Sequence, residues 1–466
     1  MLTAEPLFDL VDRILTTRVM FGPFRVEKHC NHSTLMSPKN EILNRIIDFY
    51  LDSPDFNGIR ANLVIGESDL GALETIKEFV GLGLVEVYSS VYDNPHIKRL
   101  PALSLPQQLG FLDAANSEEH VCLFPSVKTM RRRLASNTYR TKPFSRFLAL
   151  GHPQLEPVFF QLGVLERYQS DPRYIFRFDG LDGHISVKET SYRGREMAEA
   201  DKVSLQTFGL GTSAKGHRVI VTFPRYLSSM SSRHQQHWDS FKVRGKSKME
   251  RNYALRGIHG SWTEGVSVYD ALLEEMFHIN EMCVLVGLPK LFRRDYSAET
   301  RGSEEASPLD EPKGFGLLMV PTKKHFLEFA QTLDKIVSEN LDTNFFARQG
   351  IDLEERTIRK SGEVVVTQKG TLRLLEAWLA KCIRIESENG PAIVIAPLKE
   401  VRKLRQSPAH RFVDDEFSIL YQHKKESLIA EVYRSISNIR MFFQTHPKAR
   451  SYEFPDHLKP ENLVIF

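Results

Sequence analysis

One segment of this chain pairs an arginine with a histidine inside a run of positive charge. Positions 399–410 read KEVRKLRQSPAH, so Arg405 stands five residues before His410. An arginine stabilises the negative charge that develops on a phosphate, and a histidine transfers protons near neutral pH. These two side chain types are sufficient for metal-free cleavage of a phosphodiester bond in RNA.

The spacing of the two residues does not by itself identify a site. Arginine followed by histidine with four to six residues between them occurs at Arg25/His32, Arg146/His152, Arg177/His184, Arg405/His410, Arg440/His446 and Arg450/His457. The other five pairs cross glycine-rich or loop-rich sequence, end a helix among bulky apolar residues, or lie in a proline-containing tail. The structural setting of Arg405 and His410 therefore has to distinguish them.

Four amphipathic helices are predicted for the C-terminal part of the chain. Apolar residues recur three and four positions apart over about 322–341, 371–385, 397–412 and 417–444. Pro397 is placed at the start of the third helix, where proline is tolerated. The polar segment 344–369 is predicted to be a loop or a small hairpin around Gly362. Four such helices in about 130 residues indicate an antiparallel bundle.

The third predicted helix is unusual in its charge. Lys399, Arg402, Lys403, Arg405 and Arg411 stand against a single acid within the helix, Glu400. This concentration of charge favours contact with a phosphate backbone. On a straight helix, residues five apart diverge by about 140°. Pro408 is expected to kink or end the helix, which brings Arg405 and His410 to one rim or leaves His410 as a cap.

This segment resembles the R-x4-6-H motif of the HEPN superfamily of ribonucleases, and the resemblance covers about 320–446. It implies a four-helix bundle that cleaves RNA without a metal, commonly as a homodimer. By resemblance, Arg405 stabilises the phosphate charge, His410 moves the proton, and Gln406 and Glu376 assist. Lys399, Arg402, Lys403 and Arg411 are then the candidate RNA-binding residues. Such proteins commonly act as toxins or in abortive infection against phage, and a phage-derived or nucleic-acid trigger is expected.

The N-terminal part suggests a different class of function. Helical patterns at about 43–51 and 71–80, followed by a strand at 84–88, resemble a winged helix-turn-helix within residues 1–100. A small helical subdomain with a hairpin is the alternative. A DNA-binding regulator or nucleic-acid-sensing adaptor, with a bundle that dimerises without cutting RNA, is therefore a second hypothesis. Residues 101–298 are assigned as an α+β sensor or regulatory region.

Composition bounds these hypotheses. The chain has 466 residues, a net charge of +3 and four widely spaced cysteines, which form no disulfide framework. The polar, proline- and glycine-containing segment 299–314 is predicted to be a linker. We expect a mixed α+β fold, mostly α, with an α+β N-terminal region followed by a HEPN-like four-helix bundle at 315–466. A cytoplasmic location, no membrane association, no cofactor and no metal are also expected.

Overall fold

The fold is that of a computed structural model. It describes residues 38–66, 70–91, 94–98, 103–113, 120–192, 196–259, 265–294, 296, 312, 314–358, 363–382, 390–406 and 414–466. The α-helices are Pro38–Asp52 (α1), Ala61–Ile65 (α2), Leu70–Gly81 (α3), Leu105–Asp113 (α4), Val127–Arg133 (α5), Pro143–Ala149 (α6), Glu166–Ser170 (α7), Pro224–Ser228 (α8), Ser232–Ser240 (α9), Arg251–His259 (α10), Val268–Val286 (α11), Lys323–Val337 (α12), Thr343–Arg348 (α13), Thr371–Cys382 (α14), Gly390–Gln406 (α15) and Leu420–Gln444 (α16). The predicted mixture of helices and strands is confirmed.

The strands form several small sheets. They are Ile59–Arg60 (β1), Val85–Ser89 (β2), Val121–Pro125 (β3), Val158–Phe160 (β4), Tyr174–Phe178 (β5), Asp182–Val187 (β6), Ser204–Ser213 (β7), Arg218–Thr222 (β8), Ser247–Met249 (β9), Val266–Ser267 (β10), Glu354–Ile358 (β11), Val364–Gln368 (β12) and Leu463–Val464 (β13). The largest sheet has the order β4-β8-β7-β6-β5, and β9 pairs with β7 beside this path.

The first described elements form a small module with its own core. They follow the order α1, β1, α2, α3, β2, α4, β3, and the strands form an antiparallel sheet with β3 between β1 and β2. Ile46, Ile76, Val87 and Leu123 are buried together because each lies on the inner face of its element. Helix α4 separates β2 from β3 along the chain, so the two paired strands are not joined by a short turn.

Helices α12, α14, α15 and α16 correspond to the four helices predicted from periodicity, and α15 contacts each of the other three. The prediction for the third helix was wrong in its start. The helix begins at Gly390, and Pro397 lies inside it. A proline within a helix removes a backbone donor and displaces a nearby carbonyl. Here the hydroxyl of Ser435 on α16 donates to the carbonyl of Val394, one turn before the proline.

The polar stretch between α12 and α14 holds a short helix, α13, and the predicted hairpin. Strands β11 and β12 pair antiparallel from Glu354↔Gln368 to Ile358↔Val364. The turn around Gly362 lies outside the described residues.

One hydrophobic core joins the large sheet to the C-terminal helices. It includes Phe208 and Ile220 from the sheet, Met276 from α11 and Ile436 from α16. Helix α11 packs along α16, and β10 pairs in parallel with β13 near the end of the chain. The predicted linker 299–314 lies almost wholly outside the described residues, and the sequences on its two sides share this core.

Candidate functional site

Arg405 lies in the last turn of α15 and is held by two carboxylates. Its Nη1 donates to Oδ2 of Asp334 at 2.7 Å and also contacts Oε1 of Glu339. The side chain is 31% exposed. The guanidinium is therefore oriented on one side by acids of α12 and of the turn after it, while the side chain remains partly accessible to solvent.

Asp334 is the central residue of this arrangement. Its side chain is fully buried and accepts a second bond, from Nε of Arg402 at 2.9 Å. Arg402 and Arg405 are three residues apart on α15, so they lie on the same face of the helix. A buried carboxylate is tolerated when it is paired and hydrogen-bonded, and the two arginines provide both.

The electrostatic setting keeps Arg405 charged. The hydrogen bond to Asp334 raises the pKa of Arg405, and the bond to Glu339 acts in the same direction against the opposing effect of burial. Both bonds use Nη1, whereas a guanidinium carries three further N–H donors on Nε and Nη2. A phosphate approaching the exposed side of Arg405 would therefore meet an oriented cation with donors to offer.

The other cations of α15 that were predicted to bind RNA are also paired. Nζ of Lys399 lies 2.8 Å from both carboxylate oxygens of Glu376 on α14, and Nζ of Lys403 lies 3.6 Å from Glu400. The predicted auxiliary Glu376 thus contacts a lysine of the candidate site. The prediction that a single acid stands against this charge was incomplete, because α12 and α14 supply further acids.

Two further predicted residues are placed differently. Gln406 is the last residue of α15 and is exposed. His410 and Arg411 lie in the segment 407–413, outside the described residues, and so does Pro408 with its expected kink. The structure therefore places the arginine of the predicted pair and its supporting carboxylates.

Among the other arginine–histidine pairs that lie within the described ranges, one is placed across two neighbouring strands. Arg177 and His184 are directly opposite each other on β5 and β6. Arg440 instead binds Glu275 on α11, with Nε 2.6 Å from Oε2, and His457 bonds to Glu274. The pair Arg177/His184 is consequently the natural control for the pair Arg405/His410.

His234 and His237 are three residues apart, a spacing also found in metal sites, and both side chains make hydrogen bonds within the fold. Nδ1 of His234 bonds to the hydroxyl of Tyr168 at 2.8 Å, and Nε2 of His237 bonds to the carbonyl of Val164 at 2.9 Å. Burial lowers the pKa of His234 to about 4. Within the described ranges, no group of three or more His, Cys, Asp or Glu side chains is arranged to hold a metal ion. The histidines at 29 and 32 lie outside these ranges.

Three comparisons with known proteins can be placed beside this geometry. Neither the family models, nor the curated proteins, nor the solved structures contain a match to the chain. In the part of the chain that the structure describes, every helix is too short or too polar to cross a lipid bilayer.

Asp334 and Glu339 are the residues that sequence reasoning missed. Asp334 follows Leu333 in the apolar face of α12, four residues after buried Ala330 and three before buried Val337. An acid at such a position indicates a buried partner of opposite charge. That signal was available, but the identity of the partner depends on how α15 packs against α12.

Proposed function

We propose that the protein is a metal-independent endoribonuclease of HEPN type, with Arg405 and His410 as its catalytic residues. The observation that carries this proposal is the partly exposed side chain of Arg405, fixed at the end of α15 by buried Asp334. A catalytic group that is oriented by supporting hydrogen bonds stabilises a transition state without a cost of reorganisation.

The proposed reaction follows from the chemistry of RNA. The 2′-oxygen of a ribose attacks the adjacent phosphorus, and the bond from phosphorus to the 5′-oxygen breaks. His410 moves a proton during this step, and Arg405 stabilises the charge that builds on the non-bridging oxygens. The products are a cyclic phosphate and a free 5′-hydroxyl, and the balance of atoms requires no metal, oxidant or cofactor.

The remaining elements have supporting roles in this proposal. Asp334 and Glu339 position Arg405, while Glu376 and Gln406 support the rim of the site. Helices α12, α14, α15 and α16 form the HEPN-like bundle, and two copies of the chain bring two sites together. The N-terminal region acts as the sensor or regulator of a toxin or anti-phage effector in the cytoplasm.

A second candidate function is supported by the element order of the N-terminal module. A winged helix-turn-helix suits a DNA-binding regulator or a nucleic-acid-sensing adaptor, with the bundle as a dimerising element. The position equivalent to a recognition helix is α3, whose outer side and surroundings carry Glu74, Glu78 and Asp113, with Lys77 and Lys39 paired to them. The ion pairs of α3 involve three carboxylates and two ammonium groups, so both lysines are already neutralised, which disfavours contact with a phosphate backbone. We therefore rank this function second.

The first proposal is tested by incubating the purified protein with RNA in the presence of a metal chelator and measuring the rate of RNA cleavage. The wild type is expected to cut RNA, and His410→Ala is expected to reduce the rate by about 10² to 10⁴. His184→Ala is the matched control, because His184 also stands opposite an arginine, and it should cut at the wild-type rate. Loss of cleavage in His184→Ala with full activity in His410→Ala would move the site to the β5–β6 hairpin. If the wild-type protein leaves the RNA intact, the ribonuclease proposal is wrong.

A further inference from the structure

A second basic region lies far in sequence from α15, on the large sheet. Positions 242–251 read KVRGKSKMER, which contains five cations and one acid. Lys242, Arg244, Lys246, Lys248 and Arg251 are all exposed. We refer to positions 242–251, together with Lys215 in the neighbouring β7–β8 turn, as the basic strip.

The backbone of the basic strip is anchored at both ends. Lys242 forms an isolated bridge with Phe160, and the N–H of Val243 donates to the carbonyl of Phe159 at 2.8 Å. Farther along, β9 pairs with β7, and the N–H of Glu250 donates to the carbonyl of Leu210 at 3.0 Å. The strip is therefore a defined surface of the sheet.

The turn between β7 and β8 extends the same surface. The N–H of Ala214 donates to the carbonyl of Lys246 at 2.9 Å, so Lys215 is next to the strip. Lys248 lies in β9 and Lys246 immediately precedes this strand; both are exposed, and an extended backbone separates residues two apart by roughly 6.5 Å. The cations thus lie side by side along one edge.

These cations are available to a ligand. In the described part of the chain, no acid forms an ion pair with the strip cations or Lys215. Glu156 interacts electrostatically with Lys242 at one end of the strip, and Glu250 precedes Arg251 at the other. Burial raises the pKa of Glu156, which Lys242 partly opposes, and burial raises the pKa of Glu250, which Arg218 partly opposes. Arg218 itself lies within 3.3 Å of Glu426 on α16.

We propose that the basic strip binds the phosphate backbone of the RNA that this protein acts on. Several unpaired cations on a fixed, extended segment match a polyanion, and each contacted phosphate releases condensed counterions. Apart from Glu250, the exposed charged side chains of the strip are cationic, and none of its exposed side chains is aromatic, which favours contact with the backbone over stacking on bases. Their apolar neighbours, Val243 and Met249, are partly buried, so a membrane surface is a poorer match.

Lysines on an edge strand also have a known structural use. They prevent an open edge from pairing with another chain. The two roles differ in their dependence on salt, because protection of an edge requires no bound polyanion.

The test is RNA binding by the full chain, measured by fluorescence anisotropy at several salt concentrations. The protein carries His410→Ala throughout so that the labelled RNA hairpin stays intact. The test variant adds R244Q/K246Q/K248Q. The control adds K39Q/K202Q/K459Q, which removes three lysines with side chains 41% to 56% exposed that are paired to Glu78, Glu199 and Asp456. Melting temperatures establish that each variant is folded.

The test variant is expected to bind at least about tenfold more weakly at 100 mM salt, and the slope of log K against log salt should fall by about 2 to 3. The control should match the parent in both respects. Equal affinity of test variant and parent overturns the proposal, and so does an equal loss in the control. A loss of binding to poly-glutamate with no change for RNA would make the strip a protein-docking surface.

The proposal rests on the proposed ribonuclease function for the identity of the ligand, but the two fail separately. If RNA binding depends on the strip but the wild-type protein does not cleave RNA, the strip proposal stands and the nuclease proposal fails. If the wild-type protein cleaves RNA but binding does not depend on the strip, the nuclease proposal stands and the strip proposal fails.

Discussion

Two regions of this molecule are rich in lysine and arginine, but they differ in what surrounds the charge. On α15, Lys399, Arg402, Lys403 and Arg405 each form an ion pair with an acid. On the basic strip, the cations of 242–251 are exposed and form no ion pair with any acid that the structure describes. Similar sequence patterns therefore have different consequences: one orients side chains, and the other leaves charge for a ligand.

The difference arises from partners that are distant in sequence. Asp334 precedes Arg402 by 68 residues and Arg405 by 71. Glu376 precedes Lys399 by 23. A count of the charges within one helix leaves out such acids, because they lie on other helices that pack against it. The net charge of a segment is consequently a poor measure of the field that a ligand meets.

The largest expected effect concerns Asp334. Asp334→Ala leaves Arg402 and Arg405 without their buried partner, and we expect it to lower the free energy of unfolding by about 2 to 3 kcal/mol. This is below the usual cost of breaking a buried pair because both arginines are about 30% exposed. Urea unfolding measures the change, and Asp456→Ala, at an 85% exposed aspartate, is the control. A loss below about 0.5 kcal/mol would contradict the role given to Asp334.

A buried cation offers an intermediate case. Nζ of Lys425 is fully buried and donates to the carbonyls of Gly316 and Phe466 at 2.9 and 3.0 Å. Burial lowers its pKa to about 7, with an opposing effect of Glu426 and a reinforcing effect of Arg218. Between pH 7 and the usual lysine pKa of 10.5, the unfolded chain holds more protons than the folded one. The free energy of unfolding should therefore rise with pH in this window.

Lys425→Met removes that dependence. Above pH 7, the free energy of unfolding of the wild type should rise relative to that of Lys425→Met by up to about 1 kcal/mol per pH unit. Urea unfolding at pH 6.5, 8 and 9.5 gives the comparison. Parallel pH profiles for the two proteins would show that Lys425 stays charged in its site.

The smallest expected effect on stability belongs to the basic strip. R244Q/K246Q/K248Q removes exposed cations without ion-pair partners in the described chain, so the free energy of unfolding should change by no more than about 0.5 kcal/mol. Urea unfolding in the absence of RNA checks this. A loss above about 1 kcal/mol would mean that the strip supports the sheet edge rather than a ligand.

Much of the local structure could be predicted from the sequence. Apolar periodicity located the helices that became α12, α14 and α16, and alternation located β2 within a few residues. These signals are local, because each depends on which face of one element is buried. The same reasoning placed Pro397 at the start of a helix, because a proline inside a helix normally lowers stability. The hydrogen bond from Ser435 on α16 to the carbonyl of Val394 could not be predicted from the sequence.

The candidate site was less predictable than the fold. Periodicity and charge pointed to Arg405, whereas its support by Asp334 and Glu339 depends on the packing of α15 against α12. The basic strip was missed for a similar reason. Its residues fall in a region where helical patterns dominate, and the three-residue strand β9 is defined by pairing with β7. Long-range pairing of this kind leaves little trace in a short sequence window.

Single-turnover cleavage of RNA in a chelator, measured over a range of protein concentrations, tests the division of roles between the two basic regions most directly. R244Q/K246Q/K248Q should reach a rate constant within about twofold of wild type at saturation, while its half-saturating concentration rises about tenfold or more. His410→Ala should lose about 10² to 10⁴ of the rate constant with an unchanged half-saturating concentration. A full rate constant in His410→Ala, or an equal loss of rate constant in both variants, would contradict the account.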